Sequence, residues 1–457
     1  PSVDLAVEEA DVRILDAAGK TLVGVSHGEF RLGPTQGDTI EAKADVFDAH
    51  GSLGTAGLRW RRTPNREHLL DLHLSGTGFA QAGQVLAPGM HVSPRGQLHL
   101  TASAHVTAQR FHVEGLAEVE EVGIDWWRLS ASPIADFRAS VPFQLDLASE
   151  RWSLRVADAT VGGDRSRGEA GAHVSAAIEV TRPAGNQRID VVVDAPMQDC
   201  GAMLHAVPAS LTPTIGRVDA HGVMSWHVGV STQLPQTGFV AVDLALGDTY
   251  CTFDRFERLD LSELNSDFDR PVNQNGEILD DVHIGPGSSS WTPLEHMPGY
   301  VPYAMWSTED SFYKHRGISE SLVAKALGID LSTGRFIYGG STLTQQLAKN
   351  LFLSGQRSYL RKAQEMAITF MLEMVMDKQR IFEIYLNVIE LGTGVFGAEA
   401  GAQRYFSVPA SALGPQEAAR LAVMLPNPRY FGRHMDSGYL SRRSALIMQR
   451  MNSAELP

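Results

Sequence analysis

A chain of 457 residues with a formal charge of -14 lacks the cationic excess of a general nucleic-acid binder. Its hydrophobic share of 43% and charged share of 20% are those of a folded globular protein, with length for roughly three domain-sized units. No apolar run reaches the ~20 residues that a membrane-spanning helix requires.

The chain begins Pro1-Ser2-Val3-Asp4, with neither an initiator Met nor a signal peptide. It therefore reads as a piece of a longer protein whose targeting or anchoring segment is missing. Through residue 285 the pattern is strand after strand. Ile40, Ala42, Ala44 and Val46 alternate with Glu41, Lys43 and Asp45; Leu98, Leu100, Ala102, Ala104 and Val106 alternate with His99, Thr101, Ser103 and His105. The same period returns at Trp152, Leu154 and Val156, at Ile189, Val191 and Val193, and at Val240, Val242, Leu244 and Leu246. A period of two means strands with one wet face, hence a large antiparallel sheet or open barrel. Asp48-Ala49-His50-Gly51 and Pro183-Ala184-Gly185-Asn186 are turn signals, and a helical interruption is expected around 198–207. His99 and His105 share a face without being neighbours, which suits solvent-facing histidines better than a metal site. Cys200 and Cys251 leave two readings open, a disulfide in an oxidising space or two buried thiols.

Residues 280–290, Asp-Asp-Val-His-Ile-Gly-Pro-Gly-Ser-Ser-Ser, close the strand pattern with turn and linker residues. This predicts two domains, a β-rich one over 1–285 and a mainly α-helical one over 286–457.

In the second half, Gly339-Gly340-Ser341-Thr342-Leu343-Thr344-Gln345-Gln346-Leu347-Ala348-Lys349-Asn350 dominates. Two glycines permit a turn and close approach to a ligand, and Thr342 with Gln345 fits a capping box. A helix starting here points free N–H groups at the glycines, a ready anion site. Gln345 and Lys349 share a face, as do Thr342 and Gln346. On a later helix Arg361, Lys362 and Glu365 gather on one flank, which by itself describes ordinary surface ion pairing. Between Gly339 and Arg380 six Lys or Arg face three Asp or Glu, inside an acidic chain. Met366, Phe370 and Met374 read as core rather than as a lipid-binding stripe.

The 339–350 string resembles the second signature of the peptidoglycan transglycosylases, glycosyltransferase family 51, which polymerise lipid II into glycan strands. Glu309-Asp310-Ser311-Phe312-Tyr313-Lys314-His315-Arg316-Gly317 resembles the first, Glu-Asp-x-x-Phe-x-x-His-x-Gly, one residue short. An ungapped alignment puts Thr308 at the catalytic position; a one-residue deletion restores Glu309, the carboxylate that the chemistry needs. Arg361-Lys362-Ala363-Gln364-Glu365 resembles the third signature, and Glu383, Tyr385, Leu386 and Asn387 match the fourth. Gly397–Phe406 and 421–428 match the closing helices, so the resemblance covers about 306–431.

The resemblance implies a lysozyme-like helical domain. It implies inverting transfer, with the 4-hydroxyl of lipid II attacking C1 of a strand carried on undecaprenyl pyrophosphate. Glu309 and Glu365 would be the catalytic carboxylates, Glu309 as base and Glu365 holding basic residues or a divalent ion. Ser341, Thr342, Gln345, Gln346, Lys349, Asn350, Arg361 and Lys362 would bind substrate, with Asp310, Phe312, His315, Gly317, Glu383 and Asn387 as structural support. The family would accommodate Mg or Mn, but the sequence holds no self-sufficient metal motif. Partners would be lipid II, the nascent strand, the membrane surface and other cell-wall synthesis proteins. The site of action would be the periplasmic face of the cytoplasmic membrane, where Cys200 and Cys251 would form a disulfide.

No Ser-x-x-Lys with a later Lys-Thr-Gly follows residue 431, so transglycosylation alone is expected. In pattern rather than motif, the long strands of 1–285 resemble AsmA-like envelope proteins, whose open sheets line lipid grooves; a scaffold is the other reading. Two rivals stay open for the whole chain. One is a non-catalytic envelope scaffold with a degenerate first signature. The other is a glycan-cleaving hydrolase, for which the basic cluster would have no purpose.

Overall fold

The computed structural model describes residues 5–15, 21–33, 39–48, 51–76, 90–92, 96–126, 129–130, 133–162, 171–182, 186–206, 218–235, 239–247, 249–256, 259–274, 277–309, 312–333, 339–353 and 359–453. Asp310 and the turn residues Ala49, His50, Pro183, Ala184 and Gly185 lie outside them, as do the side chains of Thr308 and Glu309. Two compact units emerge. One comprises Pro1–Gly216, Ala220–Thr252 and Leu331–Gly334; the other comprises Arg217–Asp219, Phe253–Asp330 and Arg335–Pro457. Among the described residues no helix is long and apolar enough to cross a membrane.

Among the described residues sixteen strands form one sheet. They are β1 (Leu5–Leu15), β2 (Thr21–Gly33), β3 (Thr39–Asp48), β4 (Gly51–Arg62), β5 (His68–Gly76), β6 (His91–Val92), β7 (Gln97–Val106) and β8 (Arg110–Asp125). There follow β9 (Ile134–Ala148), β10 (Arg151–Val161), β11 (Ala172–Thr181), β12 (Gln187–Asp199), β13 (Asp219–Leu234), β14 (Val240–Leu246), β15 (Tyr250–Phe256) and β16 (Leu259–Asp260). The order is almost that of the chain, with only β6, on β8, and β14, on β13, off the main path. This is the antiparallel sheet that the period of two requires.

Register turns that alternation into a surface. Leu58 pairs with Leu72, Leu72 with Ala102, Ala102 with Gly115, and Gly115 with Phe143. The row continues through Val156, Ala176, Val193 and Val228 to Leu244. Ten strands thus place apolar or small residues side by side, and apart from exposed Leu58 those with side chains are half-buried. A groove of about 560 Å³ runs through the middle of the row, lined by Ala102, Leu116, Phe143, Val156 and Ala177 among others. On the same sheet His99 bonds Ser75 Oγ at 2.9 Å and His105 bonds Glu67 at 3.1 Å.

The expected helical interruption is α1 (Cys200–His205), whose N-cap Asp199 accepts from the Ala202 N–H. Cys200, fully buried, is joined to Cys251 on β15 by a disulfide, with Cα atoms 6.2 Å apart.

The second unit includes a hairpin, β17 (Phe268–Gln274) with β18 (Glu277–Ile284), and a helical body. Its helices are α2 (Tyr300–Glu309), α3 (Glu320–Thr333), α4 (Leu343–Phe352), α5 (Tyr359–Val375), α6 (Lys378–Val388), α7 (Gly397–Phe406), α8 (Pro415–Met424), α9 (Pro428–Phe431) and α10 (Gly438–Ser453). A small hairpin, β19 (Glu390–Gly392) with β20 (Val395–Phe396), precedes α7. Arg380 on α6 donates to the carbonyls of Leu264 and Ser266, and Asn265 to that of Val375, so the chain ahead of β17 belongs to this body. Leu343, Leu347 and Leu351 fall at helical spacing on α4 and are at most 2% exposed. Phe312 and Phe382 pack 5.5 Å apart, both fully buried.

One reading needs correction. The core side of α5 is Ile368, Met371 and Leu372, while Met366 and Phe370 are half-buried and Met374 is 37% exposed. The polar stripe Glu365, Thr369 and Glu373 also faces inward, which turns the methionine stripe outward.

Candidate active site

The site grows from the start of α4. Thr342, extended at φ -85°, caps the helix: its Oγ1 accepts from the Gln345 N–H, and Gln345 Oε1 accepts from the Thr342 N–H at 2.9 Å. Both side chains are almost fully buried, so Thr342 and Gln345 build the helix start. Thr342 Oγ1 also donates to the Gly317 carbonyl, which ties the second signature to the end of the first. A Cβ on Gly340 would lie 2.9 Å from the Leu322 carbonyl oxygen, so close passage of α3 requires glycine there.

Around that start stands a cluster of cations. Glu365 on α5, 2% exposed, accepts from Arg361 at 2.8 Å and from Lys362 at 2.5 Å. Lys362 also donates to Ser341 Oγ at 2.8 Å, fastening α5 to the residue before the cap. Lys349, half-buried on α4, lies within the electrostatic reach of Arg361, Lys362, Glu365 and Glu390. Burial pushes its ammonium down from the ordinary lysine value; Arg361 and Lys362 add to that, and Glu365 and Glu390 oppose it. Among the described residues no ion pair satisfies Lys349, whereas Glu365 is already shared by two cations. The cluster therefore carries surplus positive charge beside a helix start. Helix starts with surplus cations are where anions bind in proteins generally.

Gln346 and Asn350 are half-buried on the same helix, and Gln346 Oε1 accepts from Tyr385 Oη at 3.3 Å. The structure thus brings Ser341, Thr342, Gln345, Lys349, Arg361, Lys362 and Glu365 together, with Gln346 and Asn350 on the same helix as Lys349. Glu309 ends α2, and its side chain is not among those described. Phe312 sits in the core, His315 is half-buried, and Gly317 turns at φ +78°.

Glu383 and Asn387 serve elsewhere. Glu383 accepts from the Leu294 N–H and from Arg380, while Asn387 bonds both the N–H and the carbonyl of Thr292. They hold the 292–294 segment against α6. Among the described residues no three His, Cys, Asp or Glu side chains gather where a metal could sit, and both oxygens of Glu365 bond cations. A divalent ion does not fit these residues.

Two buried carboxylates escaped the sequence reading. Glu390, on β19, bonds Arg429 at 2.7 Å. Glu373, on α5, accepts from Thr344 Oγ1 at 2.6 Å and from Lys378 at 2.8 Å. The only signal for Glu373 was its place two helical turns beyond Glu365.

Comparison with known proteins agrees with this half of the chain. Residues 275–452 match the family model described as Transglycosylase. A biosynthetic peptidoglycan transglycosylase of Janthinobacterium sp. (strain Marseille) is 56% identical over 168 residues, 36% of this chain and 73% of that protein. The protein of the same description from Herminiimonas arsenicoxydans is 55% identical over the same shares. One from Burkholderia thailandensis is 51% identical over 168 residues, 36% of this chain and 66% of its own.

Proposed function

This chain belongs to the transglycosylase family, and from that premise we propose that it extends peptidoglycan glycan strands by inverting transfer. It is a glycosyltransferase. The acceptor is the 4-hydroxyl of lipid II, and the donor is a strand carried on undecaprenyl pyrophosphate at the periplasmic face of the cytoplasmic membrane.

The hydroxyl oxygen attacks C1 as its proton passes to a carboxylate, for which Glu309 is our assignment. The bond from C1 to the pyrophosphate oxygen breaks, and its electron pair leaves with the pyrophosphate. Charge neutralisation serves that leaving group better than a proton does. In this reading Lys349, Arg361, Lys362 and the N–H groups at the start of α4 supply it. The observation that carries the reading is the half-buried Lys349 beside a capped helix start, without an ion pair among the described residues. A hydrolase would need a proton donor for a sugar leaving group and would have no use for this cluster.

The test is polymer formation from labelled lipid II. Glu309→Gln keeps shape and removes basicity, and should slow polymerisation by ~10²–10⁴ while donor binding holds. Thr308→Val should remain active, and Asp310→Asn should cost stability more than rate. A Glu309→Gln enzyme at the wild-type rate would overturn the assignment. Short glycans from wild type would point to a hydrolase, and no product to a scaffold.

A second reading concerns the sheet. The unbroken apolar row from Leu58 to Leu244 supports a lipid-facing surface over a bare spacer. Lipid co-purifying with the full chain should fall away in a Val156→Glu, Val193→Glu variant that keeps its fold; equal lipid in both would favour the scaffold.

A further inference from the structure

Glu373 joins parts of the chain that the transfer reaction needs but that are far apart in sequence. Its Oε1 accepts a hydrogen bond from the hydroxyl of Thr344, in the first turn of α4, at 2.6 Å. It also pairs with the ammonium of Lys378, the first residue of α6, at 2.8 Å. That ammonium lies 4.3 Å over the ring of Phe312, three residues after Glu309. A Cβ built on Gly317 would sit 3.0 Å from Glu373 Cγ and 2.5 Å from Thr369 Cγ2. The Gly317 carbonyl, in turn, receives the hydroxyl of Thr342. The Glu373 side chain is only 7% exposed, so an unpaired charge there would be strongly disfavoured, and Lys378 and Thr344 are held to it.

Along α5 the two inward carboxylates divide the work. Glu365 collects the cations that face the anion. Two turns on, Glu373 gathers the start of α4, the start of α6 and the 312–317 segment. We propose that Glu373 is a positioning residue that fixes the 312–317 segment against α4, and through it aims the end of α2 at the acceptor hydroxyl. This rests on the assignment of Glu309 as base. Its own action is on the 312–317 backbone, which can be read without catalysis.

Two variants of the full chain test it, Glu373→Gln and Thr344→Val. The first keeps an acceptor for Thr344 but releases Lys378, and the second removes one hydroxyl at nearly constant volume. Misplacement of a reacting group by about 1 Å can cost about 100-fold, so kcat should fall by about 10-fold or more. KM should stay within about twofold of wild type, because the anion cluster is untouched. Amide hydrogen exchange at 312–317 should rise by about 10-fold, with the interior of α6 unchanged.

Unchanged kcat per folded molecule, or exchange at 312–317 equal to wild type, would overturn the proposal. So would a uniform rise in exchange across the unit, which would mark a residue of general structural importance. If wild type makes no polymer, the transfer reading fails, and exchange at 312–317 still decides whether Glu373 holds that segment.

Discussion

Lys349 is placed where stability and function oppose each other. Its ammonium is half-buried, pushed down by desolvation and by Arg361 and Lys362, and without an ion pair among the described residues. A lysine whose pKa falls on folding binds its proton less tightly in the folded state. Its cost to stability is therefore full below the folded pKa and is relieved as pH rises toward the unfolded value. Lys349→Met should accordingly raise the thermal midpoint near neutral pH. The same change should weaken binding of a pyrophosphate-bearing donor analogue by ~2–4 kcal/mol, read by calorimetry. In wild type a bound anion favours the charged lysine, so affinity should decline as pH rises through the free-state pKa, by at most about tenfold per unit. Unaltered affinity in Lys349→Met would make the residue structural only. The identity of this lysine was legible because it sits four residues after Gln345 on a helix that announces its own start. That no ion pair among the described residues satisfies it was not, since that depends on how Arg361 and Lys362 share Glu365.

At the scale of elements, α4 could be read almost entirely from local signals. Threonine and glutamine three apart specify the cap, and Leu343, Leu347 and Leu351 specify the buried side. The orientation of α5 could not be read that way. Met366, Phe370 and Met374 make a plausible apolar stripe, yet the inward side includes Glu365 and Thr369, which bond within α5 itself, and Glu373, which bonds Thr344 on α4 and Lys378 on α6. A carboxylate satisfied by other helices, as Glu373 is, looks like a surface residue in a sequence. Gly317 shows the same limit: its neighbours explain nothing, whereas its positive φ and the closeness of Thr369 explain why no side chain belongs there. Gly317→Ala should lower stability by about 1–3 kcal/mol from backbone strain alone, with the contact to Thr369 adding to it. Gly339→Ala, where a Cβ meets nothing, should stay within about 0.5 kcal/mol. Denaturant titration of the two variants compares them directly, and equal midpoints would contradict this account.

For the molecule as a whole, charge differs between the two stretches of sequence. Residues 1–285 carry 22 Lys or Arg against 39 Asp or Glu, and residues 286–457 carry 17 against 14. The acidic excess therefore sits with the strands, while the helical part carries three more cations than anions. The two-domain β then α plan was legible because the period changes from two to helical. The pairing of Cys200 with Cys251 was not fixed by their spacing, because it requires α1 and β15 to meet. The bridge closes a separation of 51 residues, worth ~4 kcal/mol in the chain-entropy description. Reduction should therefore lower the unfolding midpoint of the strand-rich unit and leave that of the helical unit in place. A single shared shift of both transitions would argue against it.

The linear strand order also has a mechanical consequence. Most strands are held by the strands just before and after them in the chain, so tension on one end peels the sheet a hairpin at a time. Each ten-residue strand set free lengthens the chain by ~33 Å. The helical unit gives way differently, because bonds such as Asn265 to Val375 and Arg380 to Leu264 close loops of more than a hundred residues. Under load such a sheet would therefore extend in steps, and the disulfide sets a stop within it. With Cys200 and Cys251 joined, β13 and β14 lie inside the closed loop and cannot add to the extension. Reduction restores them, releasing ~170 Å of reach that the oxidised chain withholds.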